Sequence, residues 1–240
     1  MAKREYFLTI DTETTQDGKV ADFAAVISDR KGEVYAQCAV LVNGVFTDSE
    51  NHPLFCTPGK EDTVFSKASL ARRYNVYNDM VSGGMRMVAS VAAINVWLAK
   101  ANAKYNPYLT AYNLAFDTDK CANTGIDLSD FASRRFCLWH AAVAKWASTS
   151  AYKRFILDTH SFNPPTAHGN MSYKTNAEVM ARFVLGNPDL EDEPHTALED
   201  VLYYELPILN RLLAVSKKKE WLNPGSFNWR NVQVRDHFSV

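Results

Sequence analysis

Asp11 and Glu13 stand one residue apart in the stretch Ile10-Asp11-Thr12-Glu13-Thr14-Thr15, directly after the apolar run from Tyr6 to Ile10. Along an extended strand side chains alternate faces, so these two carboxylates point the same way. Forced together they repel, and a cation between them is the remedy. A hard divalent ion, which takes oxygen ligands, is the natural choice. Taken alone, the pair equally fits a solvated strand end at which Asp11 caps a turn.

Two distant segments carry further candidates. In "AYNLAFDTD", Asp117 follows a short apolar run at the point where the chain turns into a helix, a position that a helix cap would also explain. In "EPHTALEDV", His195 precedes a long helical pattern and Asp200 lies in its early turns, where the helix dipole favours an acid. Alone, a surface histidine and a dipole-favoured acid explain that pair equally well. The four cysteines, Cys38, Cys56, Cys121 and Cys137, form no C-x-x-C pair and read as reduced thiols. Cys121, Cys137 and His140 could open a zinc site, or be isolated packing residues.

Positioning these groups requires a sheet with helices around it. The run Tyr6–Ile10 reads as a strand. "ADFAAVISD" and "EVYAQCAVLVN", joined by the turn-like Asp29-Arg30-Lys31-Gly32, complete three strands expected to be antiparallel. Residues 44–84 are interrupted by Pro53, Pro58, Gly59 and Gly83-Gly84, and read as an elaboration holding a short helix at "SLARRYNVYNDM". "MVASVAAINVWLAKAN" has the 3.6-residue period of an amphipathic helix, with Val88, Val91, Ala92, Trp97 and Leu98 as its apolar positions. "YLTAYN" is a short fourth strand, and "LAFDTDKCANTG" a helix closed by Gly125. "LWHAAVAKWAS" is a further helix, and "RFILDTHSF" a fifth strand or a packed connector. Thr175 and Glu178 have capping-box spacing before a helix stopped by Gly186. The last long helix starts near Thr196 and carries Leu198, Val201, Leu202, Leu209, Leu212 and Leu213 on one stripe, with a kink expected at Pro207.

At 240 residues and 47% apolar composition the chain can fill the core of one sizeable α/β domain. Its 26 Lys plus Arg against 27 Asp plus Glu create no global field for a polyanion, so a nucleic-acid role needs a local basic path. Arg72-Arg73, Arg134-Arg135, Lys153-Arg154 and Lys217 to Lys219 are the candidates, each also an ordinary solvated surface. No apolar run reaches the roughly 18 residues of a membrane span, and the expected location is cytoplasmic.

Together the three segments resemble the DEDDh family of 3′→5′ exonucleases, which includes polymerase proofreading subunits and RNase T-like trimming enzymes. The family's D-x-E motif followed by threonines is matched by Asp11, Glu13, Thr14 and Thr15. Its Asn ahead of a Phe-Asp pair is matched by Asn113, Phe116 and Asp117, and its H-x-A-x-x-D by His195, Ala197 and Asp200. The resemblance runs from Glu5 to Leu213. It departs from the family's pattern at Gln16, where a glycine is usual, at Tyr112, where a histidine is usual, and at Lys120, where an apolar residue is usual.

The resemblance implies a ribonuclease H-like exonuclease fold, a mixed central sheet of about five strands flanked by helices. It places an exonuclease domain at residues 1–215, elaborated at 44–84, and leaves 216–240 as a C-terminal extension. It implies that Asp11, Glu13, Asp117 and Asp200 hold two Mg²⁺ ions, or Mn²⁺ in their place, about 4 Å apart. His195 would be the general base, with Thr12, Thr14, Thr15, Asn113 and Phe116 on the substrate. The partners would be 3′ ends of single-stranded DNA or RNA; the sequence leaves the oligomeric state open, a homodimer included. A binding or scaffolding module with weak catalysis, or an endonuclease on the same fold, are the alternatives.

Overall fold

The computed structural model describes residues 4–55, 67–225, 228, 230 and 232–234. Strands β1 (Tyr6–Thr14), β2 (Val20–Asp29) and β3 (Val34–Val42) form the expected antiparallel meander, in which Asp11 lies opposite Ala24 and Phe23 opposite Val40. Tight turns need positive φ, which Gly18 (φ 79°) and Gly32 (φ 82°) provide. At Gly32 space matters too, because a Cβ would lie 2.2 Å from the Asn210 side chain.

Two three-residue strands complete a mixed sheet of order β4-β3-β2-β1-β5. Strand β4 (Met87–Ala89) runs parallel to β3, and β5 (Tyr108–Thr110) runs parallel to β1. Beyond β5 the pairing continues, among the described residues, as a single parallel bridge between Leu109 and Arg135. The sequence expectation of about five strands is met, with a different fifth member. "RFILDTHSF" supplies helix instead: residues 150–158 form a helix whose start is held by the Thr149 hydroxyl, which accepts from the Tyr152 N–H. Tyr152 and Ile156, one helical turn apart, bury the same stripe.

β2 is buried along its whole length because helices cover both faces of the sheet. One face packs Leu8, Ile10, Phe23, Ala25 and Ile27 against α1 (Lys67–Ser82), α2 (Val91–Tyr105) and α3 (Leu114–Thr124). The stripe α2 buries is Ile94, Leu98 and Ala101, and Gly125 closes α3 in the left-handed conformation. The other face packs Phe7, Ala24 and Val26 against α4 (Leu138–Trp146), α5 (Ser150–Asp158), α6 (Ala177–Leu185), α7 (Ala197–Asp200), α8 (Leu206–Val215) and α9 (Lys218–Leu222). No described helix is long and apolar enough to cross a membrane.

Three further expectations change in detail. At the start of α6 the cap is Asn176, with no side-chain bond. Thr175 instead accepts from Trp139 Nε1 at 3.1 Å, and Glu178 pairs with Arg182 one turn on. The long last helix is divided: α7 gives way to a π-helical turn over Val201–Glu205, and α8 follows with Pro207 in its first turn. The described part of 44–84 reaches the interior, since Tyr77 of α1 is fully buried; Pro58 and Gly59 lie outside the described residues.

Trp221 of α9 is also fully buried, with its ring centroid 4.9 Å from Phe136 and 5.6 Å from Phe7. This part of the expected C-terminal extension therefore belongs to the main core. Truncating a buried aromatic to alanine costs about 3–5 kcal/mol. Trp221→Ala is accordingly expected to move the urea midpoint strongly downward; an unchanged midpoint would detach α9 from the core.

Candidate functional site

β1 does not end at Ile10. It runs on to Thr14, so Asp11 and Glu13 both lie within the strand, with a register irregularity just beyond Glu13. Alternation puts them on the face of Phe7, toward the layer that holds α7. That helix is fastened to the sheet by a buried polar cluster. Asp22 on β2 accepts the Ala197 N–H at 3.0 Å and Arg86 Nε at 3.3 Å, and the same guanidinium pairs with Glu199. Arg86 and Asp22 have fully buried side chains, so the clamp fixes where α7 begins. Just before it, His195 adopts φ 55°, a left-handed conformation uncommon outside glycine.

The clamp brings motif residues from opposite ends of the chain together. Donor atoms of Glu13, His195 and Asp200 all lie within 4.8 Å of one another. They line a cleft of about 450 Å³ that also receives Asp11, Asn113, Tyr112, Trp139, Glu193 and Glu205. Asp200 Oδ1 and Glu205 Oε2 are buried there without hydrogen-bond partners. One cation already bears on the group: Arg73 of α1 places Nη2 3.0 Å from Glu13 Oε2 and donates from Nη1 to Pro194 O at 3.2 Å.

Asp117 is held differently. Buried on α3, it accepts from the Thr12 hydroxyl at 2.9 Å and is not among the residues lining the cleft. Thr12 therefore braces a carboxylate. The Thr14 carbonyl accepts the Phe55 N–H at 2.8 Å, and the Thr15 hydroxyl donates to Asp17 within the β1–β2 turn at 2.6 Å. Asn113, with φ 76°, lines the cleft. Phe116 is exposed with the Lys120 ammonium over its ring, outside the cleft lining.

Crowding carboxylates out of water penalises their charged forms. Burial, reinforced by Asp22, pushes Asp11 up to about 7. Burial, then Asp11 and Glu193, pushes Asp200 up to about 9. Burial raises Glu13 well above the usual carboxylate range although Arg73 pulls the other way, and Asp117 rises through burial and the charge of Asp11. Glu193 is pushed by burial to about 7. His195 is exposed at the edge of the cleft, and partial burial of its ring, then the Arg73 charge, holds its pKa below the ordinary value.

An oxygen-rich donor set with one imidazole and two orphaned carboxylate oxygens fits a hard divalent ion. Among the described residues Glu13, His195 and Asp200 are the one group of three such side chains close enough to hold a metal. Cys121, Cys137 and His140 form no group of that kind. Burial raises the Cys121 thiol far from the thiolate that zinc requires.

Sequence reasoning did not single out Glu193 or Glu205, nor place Arg73 here. Arg73 stands in the segment read as an elaboration. Glu193 sits two residues before His195, a spacing that was visible; Glu205 reaches the cleft only through the π turn. Comparison with protein-family models, curated proteins and solved structures finds no match to this chain.

Without metal, the folded state keeps protons on Asp11 up to about pH 7 and on Asp200 up to about pH 9, whereas the unfolded chain releases them near 3.9. Between those limits the folded state binds more protons, so stability falls as pH rises. The EDTA-treated protein is expected to melt at a lower temperature at about pH 9 than at about pH 5.5, and Mn²⁺ is expected to raise Tm most at the higher pH. A Tm that climbs across this range and ignores Mn²⁺ would contradict the site's electrostatics.

Proposed function

We propose that this protein is a metal-dependent 3′→5′ exonuclease. It hydrolyses phosphodiester bonds of single-stranded or frayed nucleic acid, DNA before RNA, to nucleoside 5′-monophosphates. The observation that carries the reading is the convergence of Glu13, His195 and Asp200, from β1 and from the start of α7, within 4.8 Å in a cleft that also holds Asp11. The ribonuclease H-like assignment rests on the same resemblance, with which the strand order is compatible.

Asp11, Glu13 and Asp200, with Asp117 behind Thr12, would hold the ions. Two bound Mg²⁺ ions would supply a water of lowered pKa and stabilise charge on the departing oxygen. His195, whose pKa is held below its ordinary value, takes the proton of the attacking water as the water oxygen bonds to phosphorus and the bond to the 3′ oxygen breaks. Arg73 offers a planar guanidinium suited to a phosphate. Trp139, partly buried in the cleft wall, offers a ring to a base. Arg134, by contrast, stacks on Tyr108, and Lys218 pairs with Glu5, so neither cation is directed to the cleft.

The Arg73–Glu13 ion pair also favours a second reading, a nucleic-acid-binding module without turnover, because a guanidinium already neutralises one ligand. A 5′-labelled single strand with Mg²⁺ separates the two: the exonuclease yields a ladder shortening from the 3′ end. Paired ends should be cut more slowly, since opening each base-pair step costs about 1.4 kcal/mol. Asp200→Asn is expected to abolish turnover, and His195→Ala to lower kcat by about 10²- to 10⁴-fold while the carboxylates keep Mn²⁺; lost Mn²⁺ binding in that variant would make His195 a ligand, as its place beside Glu13 and Asp200 also allows. Release of the labelled 5′ nucleotide first, or cutting of a closed circle, would overturn the polarity. Bound but uncut strands would favour the second reading.

A further inference from the structure

Glu205 is 3% exposed, yet it is not paired as a buried acid normally is. Its Oε1 accepts the Tyr112 N–H at 3.0 Å, while Oε2 is buried in the cleft wall without a hydrogen-bond partner. Burial opposes its ionisation, and so do the acids that bear on it, Asp11, Asp117 and Glu193. Left unpaired, such an oxygen costs the full desolvation of its group.

The backbone explains how it arrives there. At about 100° per residue, five steps of a regular α-helix would turn residue 205 roughly 140° away from Asp200. The Val201–Glu205 segment instead makes a π turn, in which the Leu206 N–H reaches back five residues to Val201 O. The wider turn brings residues five apart close to the same face, so Glu205 enters the cleft that Asp200 lines. π turns of this kind occur frequently at functional sites.

We propose that Glu205 is a positioning residue of the metal centre, its Oε2 accepting a hydrogen bond from water carried by the bound cation. Its Oε1 is tied to the Tyr112 N–H, so Glu205 offers the cleft a single oxygen from the wall, which suits a hydrogen bond to bound water. The proposal rests on the metal-centre reading above.

Glu205→Gln tests it, because the amide oxygen can still accept the Tyr112 N–H while the charged Oε2 is lost. Mn²⁺ affinity, followed by calorimetry or by the electron paramagnetic resonance of free Mn²⁺, is expected to fall about 10- to 100-fold. The metal-free protein should melt no lower than wild type, since the substitution keeps an acceptor for the Tyr112 N–H and removes a group whose ionisation burial and its acidic neighbours oppose. Should the glutamine variant not fold, Glu205→Asp keeps the charge but withdraws the oxygen, and is expected to weaken Mn²⁺ several-fold. Wild-type affinity in either folded variant overturns the proposal and leaves Glu205 as an anchor for Tyr112. A wild-type protein that binds no Mn²⁺ removes the metal-centre reading itself, and the proposal with it.

Discussion

Repulsion among carboxylates drawn out of water is the force that the surrounding structure must contain. Asp11, Glu13, Asp200, Glu193 and Glu205 line one cleft, and Asp117 lies behind it. Each would be more comfortable in solvent, and burial raises the pKa of every one. They stay because the elements carrying them are fixed by interactions elsewhere. β1 is paired on both sides, to β2 and to β5, and α7 is bound to β2 through Asp22, Arg86 and Glu199. Stability made in the core thus holds a cluster that by itself opposes folding.

Arg73 partly balances that charge, and it comes from α1, in a segment whose interrupted sequence pattern suggests decoration. Its guanidinium joins Glu13 to the carbonyl of Pro194, so α1, β1 and the approach to α7 meet at one side chain. Tyr77 of the same helix, buried beneath that guanidinium, ties the contact to the core. In the proposed function, the cation that neutralises Glu13 in the resting site is available to a phosphate.

Much of the architecture is legible in the sequence where periodicity is unambiguous. The alternating runs of β1 to β3 and the glycines closing α3 and α6 declare themselves locally. β4 does not, because its three residues lie at the sheet edge and Met87 is 71% exposed, leaving no alternation to read. The contiguous apolar residues of "RFILD" suit strand or helix. The decision falls to Tyr152 and Ile156, whose one-turn spacing places both in the core. At the site, D-x-E and H-x-A-x-x-D are visible because their members are close in sequence. The Thr12–Asp117 hydrogen bond joins residues 105 positions apart, and the inward turn of Glu205 depends on a π turn that a regular helical period does not anticipate.

The central claim is that this cleft is shaped around a divalent cation rather than around its own ion pair. The most direct measurement is an anomalous difference map from crystals soaked in Mn²⁺ at about pH 8, where metal binding best offsets the repulsion. The account predicts a strong peak bounded by the carboxylates of Asp11, Glu13 and Asp200. An empty map there, with Arg73 still seated on Glu13 under saturating Mn²⁺, would contradict it.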